Sequence, residues 1–169
     1  MQELSICSLK DNPSLLEKAQ IFLLKAWADE KSENFYKEVL QCCVKTSDFI
    51  PHFLFAIDKD RKIIGCVGIA LQDFVSCANL YPFLVALYVE ETYRNNGIAS
   101  MLLGKAKRDC KNAGFSNLYL CSDLCGFYEK FGFVLHSMAY DVFGFNNRIY
   151  HCVLKPNVPH LDFKNIEVL

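Results

Sequence analysis

The chain has 169 residues, of which 52% are hydrophobic and 14% aromatic, and its formal net charge is −1. This length suits one domain that buries roughly 70% of the surface exposed by the unfolded chain, so the composition excludes a disordered protein. The near-neutral charge excludes a broadly basic surface for nucleic acid, and no apolar run approaches the roughly 20 residues of a membrane-spanning helix.

A short first strand, residues 3–9, precedes two predicted helices. Asn12 is a candidate N-cap, because proline follows it at the first helical position, and Ser32 is the candidate cap of the second helix. Both helices repeat apolar residues at steps of three and four, and we interpret this stripe as core packing. The stripe consists of Leu15, Leu16, Ala19, Phe22, Leu23, Ala26 and Trp27, then Phe35, Val39, Leu40 and Cys43.

Three strands are predicted next, over residues 52–58, 62–74 and 83–89. Gly65 and Gly68 lie within the second of them. They are not a dinucleotide-binding fingerprint, because no helix opens after them and the third glycine of that motif is missing. They predict a β-bulge or close packing instead.

A long helix is predicted from Gly97 to Gly114, where glycine favours the left-handed conformation that ends many helices. Gly104 inside this helix costs about 1 kcal/mol relative to alanine, and a close approach to a strand would explain its presence.

Four further elements complete the predicted fold: a strand at 117–121, a short helix at 124–131, and an antiparallel pair of strands at 133–141 and 148–155. Gly132 stops the short helix. We interpret residues 1–169 as a single domain. Its tail, residues 156–169, has no assignable role; packing on the domain and packing on a second subunit of a homodimer are the alternatives.

Nine cysteines and four histidines raise the question of disulfides or a metal site. The cysteines form no paired C-x-x-C motifs, and Cys42 and Cys43 are adjacent. An odd count without a secretion signal at the N-terminus is typical of reduced thiols in an intracellular protein. The histidines are scattered along the chain. We therefore expect a cytoplasmic protein that holds no metal.

The stretch 83–110 organises the chain, because a buried strand passes through a polar loop into a helix. A helix start presents free backbone N–H groups and the positive end of the helix dipole, which together suit an anion. Arg94 adds a positive charge, and Gly97 lets the backbone approach a ligand closely. A plain strand-to-helix connection is the alternative. A hairpin at this point is excluded by the helical spacing of residues 98–110.

Two motifs follow one another at 87–99 and 126–133. The first, Leu-Tyr-Val and then Arg-Asn-Asn-Gly-Ile-Ala from Arg94, is similar to the acetyl-CoA signature of the GNAT superfamily of N-acetyltransferases. That signature is Arg or Gln, two residues, Gly, one residue, then Gly or Ala. The second, Gly-Phe-Tyr-Glu-Lys-Phe-Gly-Phe, resembles the helix and strand that carry the family's tyrosine. The short link at 121–126 resembles small bacterial members more than protein-acetylating ones.

The resemblance implies the GNAT fold, an α/β (α+β) arrangement. Its mixed, mostly antiparallel twisted sheet has splayed fourth and fifth strands, flanked by helices, with acetyl-CoA inserted between them as cosubstrate. The predicted order β-α-α-β-β-β-α-β-α-β-β fits this fold. The residues implied for the pantetheine arm are Leu87, Tyr88 and Val89, and those for the pyrophosphate are Arg94, Asn95, Asn96, Gly97, Ile98, Ala99 and Ser100. Glu90 and Glu91 do not suit an anion, so we expect them to point to solvent.

Acetyl transfer to an amine poses two proton problems. At pH 7, an alkyl amine with a lysine-like pKa of about 10.4 costs about 4.6 kcal/mol to deprotonate, whereas a thiol with a cysteine-like pKa of about 8.5 needs about 2 kcal/mol of help to leave. The larger demand is therefore on a proton acceptor. Tyr128 matches the family tyrosine that donates to the departing sulfur; a core tyrosine on a short helix is the alternative.

The proton acceptor is open. Some family members place a glutamate early in the fourth strand, where this chain has Phe83, which cannot take a proton. Asp73 and Asp123 are the carboxylates that we expect to face the cleft. Their respective alternatives are a surface acid and the N-cap of the following helix. His136 and Tyr81 are further options.

We predict an N-acetyltransferase that moves acetyl from acetyl-CoA to a primary amine, that of a small molecule, by direct attack in a ternary complex. Transfer through a cysteine has less support, because no cysteine is paired with a sequence-evident activating histidine. The alternatives are a module that binds acyl-CoA without turnover and an acetyltransferase of protein lysines or N-termini. Neither nucleic acid nor a membrane is an expected partner.

Overall fold

The structure of the protein, a computed structural model, describes residues 4–29 and 31–154. The strands are β1 Ser5–Ser8, β2 His52–Ile57, β3 Ile63–Ala70, β4 Phe83–Val89, β5 Asn117–Cys121, β6 Val134–Tyr140 and β7 Asn146–Val153. The helices are α1 Leu16–Trp27, α2 Glu33–Lys45 and α3 Ile98–Asn112, with single 3₁₀ turns at Pro13–Leu15, Glu91–Tyr93 and Tyr128–Phe131. The predicted tail, residues 156–169, lies outside the described residues.

The strands form one seven-stranded sheet in the spatial order β1-β2-β3-β4-β5-β7-β6. Every neighbouring pair is antiparallel except β4 and β5, which run parallel. That parallel pairing covers only Phe83 opposite Tyr119 and Leu84 opposite Leu120. Beyond Leu84, β4 continues to Val89 without pairing to β5, so the two strands splay apart. The predicted fold, with its splayed fourth and fifth strands, is confirmed.

Both faces of the sheet are covered, as the alternation of side chains along β2 illustrates. Leu54 packs with the apolar face of α3, including Leu102 and Ala106. Its neighbours Phe53 and Phe55 point the other way and pack with α1 and α2. The core stripe predicted for the first two helices therefore faces β2 in part, although two of its aromatic residues lie elsewhere, as described below.

The two glycines of β3 have the predicted roles. The register between β3 and β4 shifts between Cys66 and Gly68, which marks a β-bulge. A Cβ atom on Gly68 would lie 2.6 Å from the Phe53 ring, so only glycine leaves room for that ring. At Gly65 the Leu102 side chain and the Tyr88 carbonyl would both lie 3.2 Å from an added Cβ. Bulge and close packing are both confirmed.

The end of α3 follows the prediction. Gly114 is left-handed with φ +91°, and the Phe115 and Gly114 amides donate to the carbonyls of Cys110 and Lys111. This pair of hydrogen bonds is the Schellman motif, which satisfies carbonyls that the helix itself leaves open.

Two predicted elements were too long. The strand expected at 62–74 ends at Ala70, because residues 71–82 form a loop that has its own hydrogen bonds. The helix expected at 124–131 is only the 3₁₀ turn Tyr128–Phe131. Gly126 has φ +76°, a left-handed conformation that a continuous helix cannot contain. The N-cap alternative for Asp123 is wrong as well, since Phe127 occupies the cap position of that turn.

The two predicted N-cap side chains do not cap their helices. The Ser32 hydroxyl donates to an Asp29 carboxylate oxygen at 2.6 Å, and the Asn12 amide donates to the Ser8 carbonyl at 3.1 Å. Both residues occupy the cap positions, but their side chains form hydrogen bonds with residues that precede the helices instead.

The explanation offered for Gly104 is wrong, because no strand of the described residues lies where a side chain would be: among them, a Cβ would meet only the Arg108 guanidinium, at 3.6 Å. We expect Gly104→Ala to raise the free energy of unfolding by about 0.5–1 kcal/mol, because alanine loses less backbone freedom than glycine in a helix. Urea denaturation should show a higher midpoint with an unchanged slope. A lower midpoint would mean that the space beside Gly104 is too small for a methyl group, contrary to the structure.

None of the helices in the described ranges combines the length and the hydrophobicity that a bilayer span requires.

Candidate active site

A cavity of about 590 Å³ lies where β4 diverges from β5 and α3 begins. Three segments form its wall together with Trp27 of α1: the end of β4, the loop with the first turn of α3, and the segment 124–131. We call it the cosubstrate cavity, after the ligand expected from the sequence. Of the residues predicted for acetyl-CoA, those that line it are Leu87, Tyr88, Val89, Arg94, Asn95, Gly97, Ile98, Ala99 and Ser100. Tyr128 lines it too, so the structure brings both sequence motifs to one place.

The first turn of α3 supplies free backbone donors. Gly97 is the N-cap residue, is left-handed with φ +77°, and has no side chain that could cap the helix. The first hydrogen bond of the helix runs from the Met101 amide to the Gly97 carbonyl, at 3.0 Å. The amides of residues 97–100 therefore have no partner within the helix. A Cβ on Gly97 would meet no atom of the described residues within 4 Å, so they leave the space beside this backbone open.

Arg94 is positioned by backbone and ring contacts. Its Nε donates to the Val89 carbonyl at 2.9 Å, and its guanidinium carbon lies 5.6 Å from the centre of the Tyr88 ring. These contacts fix the positive charge of Arg94 in the lining of the cavity, and about half of its side chain stays exposed. Lys130 brings a second positive charge to the lining from the opposite wall. Two cations and a row of free amides make an anion site.

The other polar residues of the loop have structural contacts. Asn96, predicted for the pyrophosphate, does not line the cavity; its amide donates to the Tyr93 and Arg94 carbonyls at 3.2 and 3.1 Å. Glu91 is exposed, as expected, and lies 3.9 Å from Arg94. Glu90 corrects the prediction, because its carboxylate binds Lys25 of α1 at 3.0 Å and is only 18% exposed.

The β4 edge offers main-chain groups to a ligand. Ala86 has φ +52°, so the strand bulges before Leu87. Because β5 has already diverged, the backbone of residues 87–89 borders the cosubstrate cavity on the side that a further strand would occupy. An extended ligand can pair there as an added strand does.

Tyr128 sits at the opposite wall and is 8% exposed. Its ring packs against Phe127, Phe133 and Tyr150, with centroid distances of 4.9, 6.0 and 6.1 Å. The ammonium of Lys107 on α3 donates to the Phe131 carbonyl, and this hydrogen bond ties the 3₁₀ turn that carries Tyr128 to α3. The Phe133 amide also donates to the Tyr128 carbonyl at 3.3 Å.

Burial raises the pKa of Tyr128; the Ser122 hydroxyl acts in the opposite direction and the Asp73 carboxylate in the same direction as burial. The phenol therefore keeps its proton well into the alkaline range. This is the state required of a proton donor.

A second cavity, of about 480 Å³, lies on the other side of Tyr128. We call it the acceptor cavity, after the role proposed for it below. It shares with the cosubstrate cavity Trp27, Leu87, Leu124 and Tyr128. Two separate spaces thus meet at one phenol, which is the arrangement required for two substrates that react together.

Asp73 lines the acceptor cavity and is held there by its neighbour. The Gln72 carboxamide oxygen accepts from the Asp73 and Val75 amides at 2.7 and 3.3 Å, and its nitrogen donates to the Cys77 carbonyl at 3.2 Å. Burial raises the pKa of Asp73 to about 6. A carboxyl with that pKa exchanges a proton readily near neutral pH.

The remaining candidates for the proton acceptor lie apart from the two cavities. Asp123 is exposed and lines neither of them. His136 is exposed on β6, where its ring contacts that of Tyr119 at 5.7 Å. Tyr81 is 55% exposed and also lines neither cavity, while Phe83 is fully buried.

Several residues of the site were missed in the sequence. Trp27 and Phe35 were interpreted as core, yet they are 46% and 45% exposed and line the cavities. Their helical spacing is that of a core stripe, so periodicity could not have separated the two roles. Gln72 and Phe74 were placed inside a strand, and no signal indicated that they form a loop over the acceptor cavity. The described residues hold no group of three or more side chains suited to a metal.

Comparison with known proteins is consistent with this geometry. The sequence model of the Acetyltransferase (GNAT) family matches residues 13–133. None of the curated proteins matches the sequence.

Solved structures match almost the whole chain at low identity. An acetyltransferase of the GNAT family from Staphylococcus aureus is 22% identical, with 89% of this chain and 100% of that chain covered and a TM-score of 0.63. An aminoglycoside 6′-N-acetyltransferase solved with coenzyme A is 17% identical, with coverages of 91% and 99% and a TM-score of 0.68. The ribosomal-protein-S18-alanine N-acetyltransferase from Escherichia coli is 15% identical, with coverages of 95% and 99% and a TM-score of 0.65.

At these identities the solved structures establish a common fold, while the family match spans well over half of the sequence. The chain therefore belongs to the GNAT family of acetyltransferases, which are acyl-CoA-dependent acyltransferases.

Proposed function

We propose that this protein transfers the acetyl group of acetyl-CoA to the primary amine of a small molecule by direct attack in a ternary complex. The observation that carries the proposal is the meeting of two cavities at Tyr128 and Leu87. One cavity has the donors that a diphosphate needs. The other has a carboxylate that an amine needs.

In the proposal, the amides of residues 97–100 and the Arg94 guanidinium bind the pyrophosphate of acetyl-CoA. The pantetheine arm pairs with the free edge of β4 at residues 87–89. These contacts direct the thioester toward Tyr128 at the junction of the two cavities. The aminoglycoside enzyme of the same fold was solved with coenzyme A, which supports coenzyme A as the ligand class.

The reaction forms one C–N bond and breaks one C–S bond. The amine enters as an ammonium, gives one proton to Asp73, and attacks the thioester carbonyl. As the C–S bond breaks, the thiolate takes the Tyr128 proton. The excess proton of the amide nitrogen then restores the Tyr128 phenol, and Asp73 releases its proton to solvent. The sum is ammonium plus acetyl-CoA giving amide, coenzyme A thiol and one proton. Asp123 lies outside both cavities, so no step is assigned to it.

Direct attack is favoured over transfer through a cysteine. Cys121 lines the acceptor cavity, but burial, and then the negative charge of Asp73, raise its pKa to about 12. Its thiol is therefore neutral at pH 7 and a poor nucleophile. No other cysteine lines either cavity in the described part of the chain.

The pH dependence of the reaction tests Asp73. Because its pKa is raised to about 6, the carboxylate form that accepts a proton is lost below that pH. The kcat/KM for the amine should therefore fall as the pH drops through about 6. Asp73→Asn should lower kcat/KM by about 10²–10⁴-fold and remove this acidic limb, since an amide cannot take the proton.

Asp123→Asn is the matched control for that experiment. It removes a carboxylate that lies nearby in sequence to Tyr128 but outside the cavities, so activity and pH profile should stay as in the unmodified protein. Thiol release from acetyl-CoA measures both variants. An acidic limb that survives in Asp73→Asn but disappears in Asp123→Asn would transfer the acceptor role to Asp123.

A further inference from the structure

We infer that the acceptor is a singly charged primary amine with an apolar, preferably aromatic, body. The inference rests on the proposed function and names the substrate class of the same site. It comes from the walls of the acceptor cavity, which carry one charge and many rings.

Most of the aromatic lining comes from three elements that meet only in the folded chain. Phe35 and Tyr36 lie on α2, Phe74 on the loop 71–82, and Trp27 at the end of α1. The Phe35 ring lies edge-on to Phe74 and to Tyr36, with centroid distances of 5.5 and 5.4 Å. Phe35 is 45% and Phe74 58% exposed. Large rings left uncovered around one concave space are typical of a site for an apolar ligand.

Charge in the cavity is limited to Asp73. No lysine, arginine or histidine lines it among the residues that the structure describes, and no second carboxylate does. One carboxylate balances one ammonium, and the ring faces around it also attract a cation. A polyamine or an amino sugar would bring further ammonium groups into the cavity without partners, which is costly in an apolar site.

Polar partners for a hydroxyl-rich or peptide acceptor are also scarce. The Gln72 carboxamide uses its oxygen on two backbone amides and its nitrogen on a backbone carbonyl, so it is already committed to the loop. That leaves the Tyr36 and Ser122 hydroxyls and the Trp27 indole N–H as the polar side-chain groups besides Asp73, Cys121 and Tyr128 among the described residues of the lining. A sugar ring or a peptide backbone would leave several donors and acceptors unpaired.

The loop that carries Asp73 and Phe74 is held in place directly after these two residues. The Ser76 amide donates to the Tyr140 carbonyl at 2.8 Å, and the Tyr140 amide donates to the Ser76 hydroxyl at 3.1 Å. Val75 also forms a β-bridge with Asp141. The cavity wall is thus a fixed part of the fold, and its volume of about 480 Å³ is in the usual range for a small ligand.

The test is a panel of amines assayed by thiol release from acetyl-CoA at pH 8 with the full chain. The panel is 2-phenylethylamine, butylamine, spermidine, kanamycin and a short peptide with a free N-terminus. We expect kcat/KM for phenylethylamine to exceed that for butylamine by about 10-fold or more, and those for spermidine and kanamycin by about 100-fold.

Variants tie this preference to the cavity wall. Phe35→Ser and Phe74→Ser remove half-exposed rings, and each should raise the KM for phenylethylamine about tenfold, with an unchanged KM for acetyl-CoA and a smaller change for butylamine. Phe143→Ser is the matched control, because Phe143 is 82% exposed on the hairpin between β6 and β7 and lines neither cavity.

The outcomes separate the two claims. Turnover that is fastest with spermidine, kanamycin or the peptide would overturn the inference and leave acetyl transfer standing. Acetyl-CoA binding without turnover of any amine would overturn the proposed function, and the inference with it. Equal effects of Phe35→Ser and Phe143→Ser would show that the cavity wall does not select the acceptor.

Discussion

Replacing Tyr128 with phenylalanine should lower kcat about 30-fold at pH 7, which corresponds to the roughly 2 kcal/mol that a thiol of pKa about 8.5 needs as a leaving group at that pH. Phenylalanine keeps the ring contacts with Phe127, Phe133 and Tyr150, so the fold should not change. Only the phenolic proton is removed. The Kd for acetyl-CoA, measured by calorimetry, should stay within about twofold, because the contacts proposed for the diphosphate lie on the opposite wall.

The pH dependence of this loss distinguishes proton donation from packing. Above the pKa of the thiol the thiolate leaves without help, so the deficit of Tyr128→Phe should shrink as the pH rises from 7 to 9.5. In the unmodified protein the raised pKa of Tyr128 keeps the phenol protonated across this range. A deficit that stays constant with pH would indicate a purely structural tyrosine.

Placing a methyl group on Gly97 should weaken acetyl-CoA binding at least tenfold, by loss of one or two charge-assisted hydrogen bonds worth about 1.5–3 kcal/mol each. The Cβ of Gly97→Ala would project into the open space beside the free amides of α3, where the diphosphate is proposed to bind. It would also strain the left-handed backbone at φ +77° by about 1–2 kcal/mol.

Gly114→Ala is the control that separates these two effects. Gly114 is left-handed as well, with φ +91°, and an added Cβ there also meets no described atom within 4 Å. It lies at the opposite end of α3 and lines neither cavity, so it imposes comparable strain far from the proposed ligand. Both variants should lose similar amounts of stability on urea denaturation, and only Gly97→Ala should lose affinity in calorimetry. Equal losses of affinity would mean that strain alone, not the backbone cradle, accounts for the change.

The cosubstrate side of the site could be predicted from the sequence because the residues that form its anion site are close together in the chain. Gly97, the free amides after it and Arg94 lie within a few residues of each other, and one strand-to-helix junction determines their arrangement. Tyr128 required the resemblance to a family, since nothing in its own neighbourhood distinguishes a proton donor from a core tyrosine.

The acceptor side could not be predicted in the same way, because it is assembled from distant segments. The loop 71–82 has the apolar residues of a strand. It does not continue β3, because Gln72 forms hydrogen bonds within the loop and Ser76 forms one with β6. Phe35 and Trp27 occupy helix positions with the spacing of a core stripe. Whether such rings pack against a strand or line a cavity depends on which distant segment lies opposite them, and the local spacing of residues does not determine that.

The crystal structure of the protein with acetyl-CoA tests the central claim most directly. We predict a diphosphate within hydrogen-bond distance of the amides of residues 97–100, a pantetheine arm along β4 at residues 87–89, and a thioester sulfur beside the Tyr128 hydroxyl. A cosubstrate bound away from the α3 N-terminus, or a sulfur that faces no part of Tyr128, would contradict the account.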